Sequence, residues 1–175
     1  MVSSATFPRR QSARLFLGVL LLAGAAGAQE TFERADVDQH GRLRIVTSTG
    51  RVIVPVARRD QVGFDKPAIS ADRRAVGWLA LFPNCCTSYP IALSVGAYAS
   101  GRQRAFTGND LAVARWSFAV DGKQLAFRQE TVHGGSGVHY ELRDVSTGRR
   151  LATYDPDPER PANPPAWVRT LDAAP

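Results

Sequence analysis

Pro67-Ala-Ile-Ser-Ala-Asp72-Arg-Arg-Ala-Val-Gly-Trp78 is echoed 49 residues further on as Trp116-Ser-Phe-Ala-Val-Asp121-Gly-Lys-Gln-Leu-Ala-Phe127. Ile69 aligns with Phe118, Asp72 with Asp121, Val76 with Leu125 and Trp78 with Phe127, so an apolar, turn, apolar order recurs. A repeat at this spacing marks a duplicated β unit. Each copy reads as a strand entering an Asp turn, a strand leaving it, a long loop, a third strand, a Gly-Arg turn and a last strand. The first copy places its strands at Ala68 to Ala71, Ala75 to Phe82, Ile91 to Tyr98 and Gln103 to Thr107. The second places them at Arg115 to Val120, Gln124 to Glu130, Val138 to Val145 and Arg150 to Tyr154. No segment carries a long apolar period of 3.6 residues, so helix is expected to be minor.

A third, divergent copy is expected near residues 37 to 57. Leu43 to Val56 holds two β-branched runs separated by Ser48-Thr-Gly50, a hairpin signature in which Gly50 supplies the positive φ. Ser48-Thr-Gly-Arg51 recurs as Ser146-Thr-Gly-Arg149. Together the copies predict an all-β chain of antiparallel, blade-like four-stranded units packed as an incomplete propeller or a β-sandwich.

The Asp-turn phrases at Ile69 to Arg74 and Phe118 to Lys123 resemble the WD-like β-propeller repeats of the TolB type found in bacterial envelope proteins, whose turns approximate Ser-Pro-Asp-Gly-Lys. The resemblance covers about residues 66 to 154 and implies a blade scaffold for binding. Ala71 and Val120 stand where that pattern has Pro, and Arg73 stands where it has Gly. A closed propeller needs at least ~4 blades, more than this chain can supply. The sheets must then cover their faces as a sandwich or through an oligomer, and the sandwich leaves fewer exposed strand edges.

The ends of the chain bound the rest. Arg9, Arg10 and Arg14, an apolar run from Leu15 to Leu22 and the small-residue end Ala26-Gly-Ala28 read as a secretory signal over residues 1–28, cut after Ala28. The expected destination is the periplasm or the medium, with no stable membrane span after cleavage. The signal holds three arginines and no acid, so its removal halves the net charge of +6. The other arginines are scattered beside turns, which speaks against a nucleic-acid partner. Residues 29–154 are the expected β-repeat domain, and 155–175 a Pro-rich C-terminal strap. Within the strap, Trp167, Val168 and Leu171 share one side of a short helical turn that caps the core or docks a partner.

Cys85 and Cys86 are adjacent and cannot staple distant segments. A vicinal disulfide, two reduced thiols or intermolecular pairing remain open. At the 49-residue offset they align with Gly134 and Gly135 inside His133-Gly-Gly-Ser-Gly-Val-His139, so the two loops are expected on one rim. Asn84, Cys85, Cys86, Thr87, Tyr89, His133, His139 and Tyr140 are the candidate contact residues for a protein or small-molecule ligand. A Cys/His metal site on that rim is chemically conceivable, but adjacent cysteines chelate one ion poorly and no metal ligand is assigned. Asp36-Val-Asp38-Gln-His-Gly41 opens like a calcium loop, but Thr47 stands where a bidentate Glu is needed, so a turn into the hairpin is expected instead.

No P-loop or dinucleotide fingerprint is present, and no cofactor is implied. Ser136 lies in Gly-Gly-Ser-Gly without the closing Gly of a nucleophile elbow. A binding or envelope-interaction module is therefore the leading expectation. The alternatives are a secreted hydrolase using Ser136 and a loop histidine, and a structural subunit completed by self-association as a homo-oligomer.

Overall fold

The computed structural model describes residues 30–85, 88–119, 121–132, 137–159 and 163–174. Among these residues, eleven strands and one helix are arranged as three antiparallel meanders, none closed into a barrel. The N-terminal sheet holds β1 (Phe32–Val37), β2 (Leu43–Thr47) and β3 (Val52–Ile53). The middle sheet holds β4 (Gly63–Ile69), β5 (Ala75–Phe82), β6 (Ile91–Ala99) and β7 (Arg102–Phe106). The C-terminal sheet holds β8 (Ala112–Ala119), β9 (Gln124–Glu130), β10 (Val138–Asp144) and β11 (Arg150–Tyr154). Helix α1 (Ala166–Ala173) follows the Pro-rich segment, whose described residues form neither strand nor helix. The predicted signal segment lies outside the described residues.

The two repeat copies share one pairing register. Ile69 opposes Val76 across the first Asp turn, and Phe118 opposes Leu125 across the second. Alternation along β5 then sends Val76 and Trp78 to one face and Ala75 and Leu79 to the other. Val76 and Trp78 join Phe32, Leu43 and Ile45 of the N-terminal sheet. Ala75 and Leu79, with Val95, Ala97 and Phe106, pack on Val113, Trp116, Leu125 and Phe127 of the C-terminal sheet. The middle sheet is thus buried on both faces, which is why β5 reads as a nearly unbroken apolar run. Gly77 belongs to that run because the Trp116 ring lies where its Cβ would be.

The outer face of the C-terminal sheet presents Ala126, Tyr140 and Leu142, and α1 covers it with Val168 and Leu171. The helix occupies the place a further sheet would take. The Tyr140 hydroxyl donates to Asp172 Oδ2 at 3.0 Å, and Arg115 Nη1 donates to the carbonyls of Asp172 and Ala174 at the helix end. The capping role expected of Val168 and Leu171 is therefore met inside the chain.

The divergent first copy is a three-stranded sheet. Its β2–β3 turn, Ser48–Arg51, matches the β10–β11 turn, Ser146–Arg149, and Gly50 and Gly148 have φ of 81° and 80°. The N-terminal sheet therefore corresponds to the last three strands of a unit. Asp38, the calcium-loop candidate, accepts from the amides of His40 and Arg42 and pairs with the Arg42 side chain, as a turn-forming residue does.

Tight turns gather along one edge of the stack, where Gly122 lies against Ser70 and Asp72 of the earlier turn. The β5–β6 and β9–β10 connections consequently leave from the opposite, loop edge.

Candidate functional site

Two links join the sheets: residues 54–62 from β3 to β4, and residues 107–111 from β7 to β8. Both reach the loop edge, where they and the ends of β5 and β6 enclose a cavity of about 400 Å³ lined by Arg58, Phe82, Leu93 and Thr107 to Leu111. That volume lies in the range of small-ligand sites.

Each link is held by a glutamine that acts as a surrogate strand. Gln103 of β7 accepts from the Val56 amide at 2.9 Å and donates to the Val56 carbonyl at 2.7 Å. Gln129 of β9, 0% exposed, accepts from the Asn109 amide at 3.0 Å and donates to the carbonyls of Asn109 and Leu111 at 2.9 and 2.8 Å. A side-chain amide can satisfy an N–H and a C=O of one residue together, so Val56 and Asn109 are each bonded without a strand partner. Gly108 permits this closeness, because a Cβ there would overlap the Gln129 amide.

A buried charge network stands behind the second link. Glu141 of β10, 0% exposed, takes two contacts from Arg143, Nε at 2.6 Å and Nη2 at 2.5 Å, and a third from Arg150 Nη1 at 3.5 Å. His139 Nε2 lies 3.2 Å from Glu141 Oε1, and its Nδ1 lies 2.6 Å from Asp155 Oδ1. Arg143 Nη2 also donates to the Thr107 carbonyl at 3.2 Å. The chain of contacts from Asp155 through His139, Glu141 and Arg143 ends on the cavity wall.

Within the cavity, Arg58 donates through Nη1 to Ser94 Oγ at 3.2 Å, and its guanidinium carbon stands 5.9 Å from the Phe82 ring centroid. Among the described residues Arg58 forms no ion pair, and neither does Asp110 on the same lining. A second cavity, of about 300 Å³, opens at the turn edge, but its carboxylates Asp72 and Asp144 bond within their own turns.

The contact residues read from the sequence divide into three groups. Asn84, Cys85 and Tyr89 stand at the loop edge just beyond Phe82, with Asn84 half-buried, Cys85 exposed and Tyr89 63% exposed. Cys86, Thr87, His133 and Ser136 lie outside the described residues, and with them the Cys85–Cys86 disulfide, the Cys/His metal idea and the serine nucleophile. Among the described residues no group of three or more His, Cys, Asp or Glu could hold a metal ion.

His139 and Tyr140 do not stand on an accessible rim. Both are 5% exposed. His139 opposes Gln129 across β9 and so faces the middle sheet, while Tyr140 faces α1. Burial raises the Tyr140 phenol above its ordinary value, and the bond to Asp172 adds to this.

Arg58 and the 107–111 link escaped the sequence reading because they lie in connections between the repeat copies, and Leu93 because it reads as an ordinary strand residue of β6. One signal was legible: Gln129, a polar residue at an inward position of an apolar strand. Compared with known proteins, the chain matches no family model and no curated protein.

Proposed function

We propose that this chain is an exported β-repeat binding module whose ligand enters the cavity between the two inter-sheet links. The observation that carries the reading is the double clamping of that cavity. Gln129 bonds Asn109 bidentately and reaches the Leu111 carbonyl, and Arg143 of the Glu141–Arg143 pair holds the Thr107 carbonyl. Buried charges of this kind add little stability over apolar packing, whereas a binding wall gains from being fixed before the ligand arrives. The signal-like segment to Ala28 and the TolB-like turn phrases support placement in the periplasm or medium. No helix among the described residues is long and apolar enough to cross a membrane.

The hydrolase reading gains nothing from His139, since each of its ring nitrogens already faces a carboxylate. A serine base needs one nitrogen directed at the hydroxyl.

Thermal shift across a small-molecule library tests the binding reading. Ligands are expected to raise the Tm of the protein but not of Leu93→Trp or Leu111→Trp, which fill the cavity from its two walls. The reading fails when no compound raises the Tm, or when active compounds act equally on both filled variants.

A further inference from the structure

The cavity holds two opposite charges that do not meet. Arg58 reaches in from the first link and keeps its guanidinium between the buried Ser94 hydroxyl and the Phe82 ring, and Asp110 projects from the second link. The same lining carries the apolar side chains of Phe82, Leu93 and Leu111 beside Thr107 and Asn109. A ligand carrying only a carboxylate would be attracted by Arg58 and repelled by Asp110, and an amine would meet the reverse. A molecule that carries both charges and an apolar side group satisfies each wall.

Resting on the binding reading above, we propose that the cavity takes a small zwitterion with an apolar body, an amino acid or a short peptide. Arg58 receives the carboxylate, Asp110 receives the ammonium group, and Phe82 and the two leucines receive the side chain. Cavity volume admits either source, and the distance each ligand spans between its charges decides which of the two binds more tightly.

Isothermal titration of the purified protein with L-phenylalanine and L-leucyl-L-leucine, alongside 3-phenylpropanoate and phenethylamine, tests this. At least one zwitterion is expected to bind saturably, and roughly ten-fold or more tightly than either single-charge compound. Arg58→Gln and Asp110→Asn, both at exposed residues, should each weaken that binding by a similar factor while leaving the Tm within a few degrees. Tighter binding of the amino acid identifies a free amino acid, and tighter binding of the dipeptide identifies a peptide; both support the proposal. It is overturned when no zwitterion binds, when a single-charge compound binds equally well, or when either variant leaves affinity unchanged. Should library compounds of other chemistry still lose their effect in Leu93→Trp, only the ligand class falls. Should nothing depend on that cavity, the binding reading falls with it.

Discussion

The two faces of the middle sheet are built for different ends. Toward the N-terminal sheet, Val76 and Trp78 meet Phe32, Leu43 and Ile45 in an apolar cluster. Toward the C-terminal sheet, the inner strands are equally apolar, but β9 and β10 also turn Gln129, His139, Glu141 and Arg143 to that side. The first face gains free energy from burial alone. The second gives up part of that gain to hold a connecting link in one position. The difference teaches that a repeat scaffold can keep its packing on one side of a sheet and use the other side to shape a cavity.

The largest test of that contrast is Trp78→Ala, which should cost about 3–5 kcal/mol in chemical denaturation. Its effect should be confined to stability, with ligand-induced Tm shifts preserved where the variant is folded. Glu141→Gln breaks the network on the other face and leaves Arg143 without its carboxylate, at a cost of about 3 kcal/mol. Replacing both, Glu141→Leu with Arg143→Met, should return stability close to the starting value. Amide exchange in the 107–111 link should still be faster in the double variant, because the Thr107 carbonyl has lost its donor. Unchanged exchange would show that the network has no hold on the cavity.

Gln129→Leu is the intermediate case, at about 2 kcal/mol, with accelerated exchange of the Asn109 amide. An apolar residue of similar length keeps the packing, so that loss reports the clamp itself.

A smaller effect separates the two Asp turns. Arg73 holds a φ of 58° where the second copy has Gly122 at 78°. A non-glycine residue in the left-handed region carries a penalty, so Arg73→Gly should stabilise the protein by up to about 1 kcal/mol, read as a rise in Tm. The smallest effect concerns the two Ser-Thr-Gly-Arg turns. The Ser146 hydroxyl, then the Thr147 amide, holds the Asp144 carboxyl below the usual aspartate value. A depressed carboxylate contributes stability that is present above its unfolded pKa and lost as pH falls through the lower folded one. The Tm of Asp144→Asn should therefore decline less than that of the parent below about pH 4. In the N-terminal turn, Glu30 takes the corresponding capping part, lowered to about 2 chiefly by Arg51, so Glu30→Gln should flatten the acid limb further.

Six of the eight repeat strands were legible to within a residue or two, whereas β4 begins at Gly63 rather than Ala68 and β8 at Ala112 rather than Arg115. Ala75 to Phe82, Gln124 to Glu130 and Arg150 to Tyr154 match the structure at both ends. Alternation and turn residues are local, and the second copy repeats them. The candidate site was legible only as an edge: Asn84, Cys85 and Tyr89 follow Phe82, which lines the cavity, but are not themselves among its lining residues. His139 and Tyr140 were misplaced because the first residues of a strand after a Gly-rich loop look exposed until the neighbouring layer is known.

By itself the sequence determined the repeated strand order, the positions of its turns and the all-β class, because each depends on residues within one unit. Tertiary structure alone decided that three sheets stack with α1 closing one end. It also decided that Arg58 and Asp110, 52 residues apart, line one cavity. Those outcomes depend on which faces meet, and side-chain alternation states that a face is apolar without naming what covers it.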